Sequence, residues 1–360
     1  MKAAMLREIP SELVIDEVQI DKPGPREVLV NTSAAGVCHS DLHFMEGKYP
    51  YPTPAVLGHE SAGVVEAVGS DVTYVKPGDH VIACLSVFCG SCEYCTSGHP
   101  SLCTKEGLNR SPDGPQRLSK DGEPVFQFLN LSSFAEQMLV HEHALVKIRD
   151  DMPLDRAALI GCGVTTGLGA VFNTAKVGAG ETVAVLGAGG IGLNAIQGAA
   201  IAGAGRIIAV DMNETKLKLA ESFGATDLVN AADGDPVAQI MELTGGGVHH
   251  AFEAIGLKTT AEQSFHMLRS GGTATVIGMI PIGQTVDLPG YMFLGEKRIQ
   301  GSNMGSNRFR TDMPRYVDMY LNGKLKLDEL VSARRPLEEI NEAFTAMKGG
   351  EVARSVIIFA

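Results

Sequence analysis

The sequence lacks any run of basic residues. Its 42 acidic side chains outnumber its 30 basic ones, so the formal net charge of the 360-residue chain is −12 at pH 7. An excess of negative charge repels phosphate groups, and binding to a nucleic-acid backbone needs clustered lysines and arginines. The composition therefore argues against a nucleic-acid partner, and it argues against an acidic membrane surface for the same reason.

The sequence also lacks a clear secretory or membrane-spanning segment. Its N-terminal stretch, Met1–Ile20, includes charged side chains and holds no long apolar block, unlike a signal peptide. The stretch Thr182–Gly205 carries no charge, but glycine recurs throughout it, and Asn194 and Gln197 interrupt the run. A buried strand, a glycine turn and a helix fit this pattern better than a membrane span. We therefore expect a cytoplasmic protein without membrane partners.

The cysteines do not have the pattern of a disulfide framework, because there are seven of them and a reducing compartment is expected. Four form the motif C-x2-C-x2-C-x7-C, namely Cys89, Cys92, Cys95 and Cys103. Four thiolates so close along the chain can complete the tetrahedral shell of a structural zinc. Ferredoxin-type iron–sulfur motifs begin in the same way, but there three residues precede the next cysteine and a proline follows it. The wider gap and Thr104 favour zinc over an iron–sulfur cluster or unliganded thiols.

The chain has two regions that differ in the pattern of their apolar residues. Positions 1–160 hold short runs of Val, Ile and Leu between Gly and Pro residues, which predicts a β-rich region with a polar surface loop at residues 104–130. From Thr182 onward, apolar runs alternate with helical stretches, which predicts βαβ units and a parallel sheet. The C-terminal part of the chain holds an amphipathic helix near Glu338–Lys348 and a closing strand at Ser355–Phe359.

A glycine-rich loop follows the apolar run that begins at Thr182. It fits G-x-G-x-x-G and consists of Gly187, Ala188, Gly189, Gly190, Ile191 and Gly192. Such glycines let the backbone turn and approach a pyrophosphate, which the N-terminus of the following helix attracts. Asp211 ends the next strand, at the distance along the chain where a carboxylate binds the adenosine ribose. Its charge would repel a 2′-phosphate, so NAD is predicted over NADP. Lys216 is either a ribose contact or a solvated lysine.

Three cysteines lie outside the four-cysteine motif. Cys38 and Cys162, together with His59, would leave one tetrahedral position open, as a catalytic zinc requires. Because the two cysteines are far apart in the sequence, the residues alone favour buried thiols and a histidine with an ordinary hydrogen-bond partner over a metal site. Cys84 is expected to be a buried packing residue.

The order of these motifs resembles the zinc-dependent alcohol dehydrogenases of the medium-chain dehydrogenase family, in particular the liver-type, dimeric branch. The resemblance rests on Cys38-x-Ser40-Asp41-x-His43, Gly58-His59-Glu60, the four-cysteine motif, GCGVTTG at residues 161–167, the glycine loop and Asp211. It covers essentially the whole chain. It implies an α/β protein with a GroES-like β-rich catalytic domain at residues 1–163 and a doubly wound Rossmann domain at residues 164–303. Residues 304–360 would return to the catalytic domain, and the active site would lie in the cleft between the domains.

The family implies a role for each matching residue near the metals, with two zinc ions per subunit. The matches are Cys38, His59 and Cys162 as ligands of the catalytic zinc; Cys89, Cys92, Cys95 and Cys103 as ligands of the structural zinc; Asp41 as the carboxylate that orients the ligand histidine; Glu60 as an acid close to the metal; and Ser40 and His43 as the proton relay. These residues would stabilise and deprotonate an alcohol while hydride passes to NAD.

Further matches concern the cofactor. They are His39 and Arg354 at the pyrophosphate, and Thr166, Ile277, Gly278, Met279 and Ser302 along the nicotinamide. His39 stands where many relatives have arginine, so we expect weaker and pH-sensitive cofactor binding. Ile277, Met279 and Ser302 are also compatible with ordinary packing.

The substrate pocket of the family is lined by positions that here are Tyr49, Leu85, Phe128 and Leu129. Leu85 replaces an aromatic residue common in relatives that prefer small alcohols. We therefore expect reversible oxidation of medium-chain, allylic or aromatic alcohols, primary or secondary. A glutathione-dependent formaldehyde dehydrogenase is an alternative, although Tyr49 and Gly107 lack the charges that hold its substrate. A non-catalytic redox sensor that binds zinc and NAD is an alternative from another class.

The length of chain between two motifs bears on assembly. The segment between Cys103 and Cys162 is close in length to the corresponding segment of dimeric relatives. We expect a homodimer joined through the Rossmann sheets near Tyr291–Gly301.

Overall fold

The structure, a computed structural model, describes residues 1–105, 107–111, 114–350 and 353–359. The chain divides into two compact units: the first comprises Met1–Gly163 and Arg308–Ala360, and the second comprises Val164–Asn307. The sequence-based boundary at residue 303 therefore falls four residues before the end of the second unit. The C-terminal segment belongs to the same unit as the N-terminal part of the chain.

Antiparallel strands dominate the first unit. Its strands within the described ranges are Lys2–Leu6, Val14–Glu17, Gln19–Ile20, Glu27–Gly36, Ala55–Val56, Glu60–Val68, His80–Cys84, Leu118–Lys120, Glu123–Pro124, Phe126–Gln127, Gln137–His141, Leu145–Lys147, Val331–Arg335 and Arg354–Ile358. The longest, Glu27–Gly36, pairs antiparallel with three others, among them Glu60–Val68 and Arg354–Ile358. Its buried valines join those of neighbouring strands in one apolar core. The predicted β-rich texture is confirmed, and the closing strand begins one residue earlier than expected.

The helices of the first unit are short, apart from one near the C-terminus. In the part of the chain that the structure describes they are His39–Met45, Glu93–Thr96, Leu154–Leu159, Phe309–Leu321 and Ile340–Lys348. Helix His39–Met45 follows the end of strand Glu27–Gly36 almost directly, and Cys38 is its N-cap. Leu154–Leu159 continues into a π-helical turn, Ile160–Val164. The first arrangement places Cys38 at the start of a helix, and the second places Cys162 in the middle of the π-helical turn.

The second unit is built around a parallel sheet. Its strands, again among described residues, are Thr182–Leu186, Arg206–Asp211, Asp227–Asn230, Val248–Glu253, Leu268–Val276 and Arg298–Gly301, and its α-helices are Thr165–Gly169, Gly190–Ile201, Glu214–Ser222, Pro236–Thr244 and Lys258–His266. Numbered along the chain, the strands lie in the order 3-2-1-4-5-6, with every neighbouring pair parallel. The predicted parallel sheet is confirmed. The direction of winding reverses beside Thr182–Leu186, and ligands of such sheets bind at the carboxyl ends of the strands there.

One helical segment, Leu154–Ala175, is long and apolar enough to cross a membrane by composition alone. Most of its apolar window, 83%, is buried within the protein. Core helices commonly have this composition, so the segment is weak evidence for a membrane span.

Candidate active site and metal centres

Cys38, His59 and Cys162 form a buried cluster in the first unit. Their potential ligand atoms all lie within 4.8 Å of one another. Antiparallel pairing opposes Ala35 to Ser61, so the residues just after one strand and just before the other reach the same edge of the sheet. This pairing brings Cys38 close to His59, and the π-helical turn adds Cys162. The structure thus brings together three side chains that the spacing alone left open.

Asp41 fixes the orientation of His59. The carboxylate is completely buried, and its Oδ1 accepts hydrogen bonds from the Gly58 amide and from His59 Nδ1, both at 3.1 Å. With Nδ1 engaged as a donor, Nε2 is the ligand atom of the neutral ring. Burial lowers the pKa of His59, but the Asp41 and Cys38 charges outweigh it and raise that pKa, so a metal ion that binds Nε2 takes the place of a proton there. Burial raises the pKa of Asp41, while the His59 contact opposes that rise.

The donor set fits a zinc ion. A hydrogen bond from the Cys162 thiol lowers the pKa of Cys38 well below its ordinary value, and the same contact, together with burial, raises the pKa of Cys162. The protein alone therefore accommodates one thiolate in the pocket, and a dication supplies the charge that a second thiolate needs. Two sulfurs and one imidazole nitrogen leave one tetrahedral position for another ligand.

Glu60 and Arg354 form a buried pair beside this cluster. Arg354 Nη1 donates to the Val37 carbonyl at 3.1 Å and lies 3.5 Å from Glu60 Oε2, which also accepts the Gly163 amide. Burial raises the pKa of Glu60 to about 7, against the attraction of Arg354. Arg354 matches a pyrophosphate contact by resemblance, and within its own unit it lies against Glu60. No local pattern in the sequence signals that pairing.

Ser40 and His43 lie one turn apart on helix His39–Met45. The Cys38 sulfur is 3.7 Å from Ser40 Oγ. His43 stacks on Tyr49 with the ring centroids 6.3 Å apart, and its buried Nδ1 has no hydrogen-bond partner among described residues. Burial lowers the pKa of His43, so the ring is neutral near pH 7 and able to accept a proton. His39, at the start of the helix, is exposed.

Aromatic rings pack on one side of the His59 ring. Phe128 is completely buried, lies 6.0 Å from His59 and contacts Phe44 and Tyr51 edge-on. Leu129 follows Phe128 and is half-buried. Leu85, another expected pocket residue, is half-buried against the apolar core of the first unit. Sequence reasoning missed Phe44 and Tyr51, and only their clustering with Tyr49 along the chain distinguishes them.

The second cysteine cluster lies near the surface. Its sulfurs face one another in pairs, with Cys89 Sγ 3.9 Å from Cys95 Sγ and Cys92 Sγ 3.8 Å from Cys103 Sγ. A tetrahedral zinc with Zn–S bonds of about 2.3 Å holds its sulfurs about 3.8 Å apart, so the observed separations fit a zinc ion.

Backbone amides surround these sulfurs. Cys89 Sγ accepts from the amides of Ser91 and Cys92, and Cys103 Sγ accepts from the amides of Cys89 and Lys105. Hydrogen bonds from the Ser91 hydroxyl and amide lower the pKa of Cys89 to about 6, whereas burial raises the pKa of Cys95 to about 12. As in the buried cluster, ionisation of all the thiols calls for a bound cation.

The glycine loop of the second unit has the geometry that a dinucleotide needs. Gly187 has φ 95°, and a Cβ on Gly192 would lie 1.7 Å from the Gly187 carbonyl oxygen. A Cβ on Gly189 would meet no atom within 4 Å among the described residues, so that face is open to a ligand. Asp211 Oδ2 accepts the Ala188 amide at 2.8 Å, which holds the carboxylate beside the loop. Lys216 is half-buried on the helix after Asp211.

The expected nicotinamide residues lie on three segments of the second unit. Ile277 and Gly278 donate their amides to the Glu253 carbonyl at the end of strand Val248–Glu253. Ser302 Oγ is 2.9 Å from Thr174 Oγ1, and Thr166 Oγ1 is 3.4 Å from Met304 Sδ. Met279 follows Gly278 directly and is half-buried. Sequence reasoning missed Glu253, whose signal is a charged residue at the carboxyl end of an apolar strand.

Family models match most of the chain. The family described as "Alcohol dehydrogenase GroES-like domain" matches residues 24–150, and the family described as "Zinc-binding dehydrogenase" matches residues 190–321. The predicted combination of a GroES-like and a Rossmann domain is confirmed.

Individual relatives resemble the chain over nearly its full length. An alcohol dehydrogenase class-3 of Cereibacter sphaeroides is 41% identical, covering 99% of each chain. An S-(hydroxymethyl)glutathione dehydrogenase of Photobacterium damsela subsp. piscicida is 42% identical, covering 97% of this chain and 96% of its own. The solved structure of benzyl alcohol dehydrogenase from Acinetobacter calcoaceticus has a TM-score of 0.94 and 36% identity, covering 100% and 99% of the two chains.

Proposed function

The chain belongs to the zinc-dependent alcohol dehydrogenases of the medium-chain family, and from this membership we propose that it oxidises aromatic and allylic alcohols to aldehydes. The observation that carries the proposal is the uncharged aromatic group next to the buried ligand cluster, in which Phe128 contacts His59. Flat apolar substrates fit such a wall, because aromatic rings pack well edge to face.

The broader predictions are confirmed by the family. The protein is an NAD-dependent oxidoreductase that uses zinc, rather than a non-catalytic sensor. Zinc supplies Lewis acidity toward an alcohol oxygen, and NAD accepts the hydride. We propose Cys38, His59 and Cys162 as ligands of the catalytic ion and the cysteines of residues 89–103 as ligands of the structural ion.

We assign the proton chemistry to the chain's own side chains. Asp41 accepts the Nδ1 proton of the neutral His59 ring, so that Nε2 is the nitrogen available to a metal ion. Ser40 lies beside the ligand Cys38 and passes the alcohol proton toward His43, which is neutral and half-buried. His43 then releases the proton to solvent.

A second candidate function comes from the relatives' names, several of which are S-(hydroxymethyl)glutathione dehydrogenases. A glutathione adduct carries carboxylates, and a site that binds them gains from charged partners. Tyr49 is uncharged and lies against His43 and Phe44, and Gly107 has no side chain. These positions favour an uncharged substrate.

The test is a comparison of NAD-linked rates with benzyl alcohol, cinnamyl alcohol, ethanol, and formaldehyde with and without glutathione. We expect kcat/KM for the two aromatic alcohols to exceed that for ethanol at least tenfold, with no stimulation by glutathione. Formaldehyde turnover that depends on glutathione and exceeds the benzyl alcohol rate would instead establish the second candidate.

We also propose that the enzyme is a homodimer joined through strand Arg298–Gly301, one of the two edge strands of the parallel sheet. Tyr291 and Leu294, just before this strand, expose 75% and 89% of their surface, which is unusual for large apolar residues. Light scattering is expected to give twice 38.0 kDa for the native chain and 38.0 kDa for Leu294→Glu. We also propose a cytoplasmic location, because a reducing compartment keeps cysteine thiols available as metal ligands.

A further inference from the structure

Residues 128–132 form a turn that is unusual in its backbone conformation. Leu129 has φ 48° and ψ 34°, Asn130 has φ 63° and Ser132 has φ 59°. These values lie in the left-handed region, which residues with a side chain seldom adopt. Three such residues within four positions need specific contacts to hold them.

Two hydroxyl groups supply these contacts. Tyr51 donates to the Gln127 carbonyl at 2.9 Å and accepts the Leu129 amide at 3.3 Å. Ser132 accepts the Phe128 amide at 2.8 Å and donates to the Val56 carbonyl at 2.7 Å. Burial raises the pKa of Tyr51, so its hydroxyl keeps the proton that it donates. The turn is therefore held at both ends.

The turn also carries a side chain, that of Phe128, which reaches the ligand cluster. Phe128 is completely buried, and its ring lies 5.0 Å from Tyr51 and 6.0 Å from His59, both edge-on. The backbone of Leu129, an expected pocket residue, is bonded directly to Tyr51. A shift of this turn would consequently move the aromatic wall beside His59.

We propose that Tyr51 and Ser132 are positioning residues that set the shape of the substrate pocket by holding the 128–132 turn, and so determine the preference for aromatic over small alcohols. The proposal rests on the proposed function, because it takes Phe128 and Leu129 as pocket residues. Neither hydroxyl touches the reacting atoms. Their effect should therefore appear in the discrimination between substrates of different size, because benzyl alcohol has a ring that can pack on the aromatic wall and ethanol has none.

The experiment compares Tyr51→Phe and Ser132→Ala with the native enzyme. Tyr51→Phe keeps the ring that packs on Phe128 and removes only the hydroxyl. Tyr74→Phe is the matched control, since the Tyr74 hydroxyl also accepts a backbone amide at 3.3 Å, from Lys147, and its ring packs on Arg310. The readouts are kcat/KM for benzyl alcohol and ethanol, and hydrogen exchange of the Leu129 amide.

We expect the benzyl-to-ethanol ratio of kcat/KM to fall about fivefold in Tyr51→Phe and Ser132→Ala, with at least fivefold faster exchange of the Leu129 amide in Tyr51→Phe. Tyr74→Phe should change neither quantity by more than twofold. A ratio within twofold of the native value in both turn variants overturns the inference, as does an equal fall in Tyr74→Phe. If the native enzyme does not prefer benzyl alcohol, the proposed function fails, while the change in ratio still decides the inference.

Discussion

The two cysteine clusters of this chain differ in depth and in how their members are brought together. Cys38 and Cys162 are almost fully buried and come from segments far apart in the sequence, joined by the pairing of strands and a π-helical turn. The cluster of residues 89–103 comes from one short segment whose cysteines, apart from Cys103, are only half-buried. Strand pairing and a helical turn bring the first cluster together, whereas in the second cluster the bound metal must hold the segment in place.

The surroundings of the clusters differ accordingly. Asp41 and Arg354 lie beside the buried cluster, so its ligands are oriented by side chains that strands and helices support. The sulfurs of the cluster at residues 89–103 receive hydrogen bonds mainly from backbone amides of the same stretch of chain. Loss of metal should therefore abolish chemistry at the first cluster and loosen structure at the second.

Cys38→Ala is the change with the largest expected effect. It removes one metal ligand from a pocket that the rest of the fold still forms, so turnover of alcohol should fall about a thousandfold or more. Metal analysis should find one zinc per chain instead of two. Cys84→Ala is the matched control, because Cys84 is equally buried and lies in neither cluster. Unchanged activity in Cys38→Ala would contradict the assignment of this ligand.

Cys95→Ala should have the opposite outcome, with a large loss of stability and a small loss of turnover. Its zinc content should also fall to one per chain, but the free energy of unfolding should drop by at least about 4 kcal/mol, because bound metal holds this segment folded. Turnover at low temperature, normalised to folded protein, should stay within about fivefold of native. Denaturant unfolding measures the first quantity and initial rates the second. Native stability after loss of this zinc would show that the segment needs no metal.

The same difference explains what the sequence predicts about each cluster. Cysteines spaced within one segment can meet whatever the rest of the fold does, so the motif at residues 89–103 indicates zinc directly. Cys38 and His59 meet only because Glu27–Gly36 pairs with Glu60–Val68 in one particular register. No local pattern encodes that register, and the buried site is predicted only through the resemblance to a known family.

The second unit is readily predicted for a related reason. The strands at the centre of its sheet, Thr182–Leu186 and Arg206–Asp211, are buried along nearly their whole length, so they appear in the sequence as continuous apolar runs. The turn at residues 128–132 could not be predicted. Leu129 and Asn130 adopt left-handed conformations without a glycine to signal them, and the contacts that hold them come from Tyr51, far away in the sequence.

Glu27→Gln tests whether the loop that follows the cluster at residues 89–103 is held in place independently of the zinc ion bound by that cluster. The buried Glu27 carboxylate binds Arg117 at 2.7 Å and Arg110 at 2.6 Å. Burial favours a raised pKa, but the two arginines outweigh it and lower the pKa of Glu27 from 4.5 to about 2. Removing one charge of this group should cost about 3 kcal/mol of unfolding free energy at pH 7, with both zinc ions retained.

The pH dependence of this effect has a definite sign. Because the folded pKa of Glu27 lies below the unfolded one, its contribution is fully present above about pH 4.5 and is lost as the pH falls toward 2. The difference in stability between native chain and Glu27→Gln should therefore shrink from pH 5 to pH 3. Glu123→Gln, at an exposed position, is the control. A constant difference in stability over that range would show that these arginines do not lower the pKa of Glu27.

Asp41→Asn should have the smallest effect of these four substitutions. It should also distinguish the two clusters most clearly by their affinity for zinc. An asparagine amide can donate to His59 Nδ1, which moves the ring proton to Nε2 and blocks the ligand atom. The affinity of the buried cluster for zinc should fall about 10- to 100-fold, while the affinity of the cluster at residues 89–103 should stay unchanged. Chelator competition would then remove one zinc per chain sooner than in the native enzyme. Asp79→Asn, another buried aspartate that pairs with Lys147, should leave both affinities unchanged, since its carboxylate supports neither cluster.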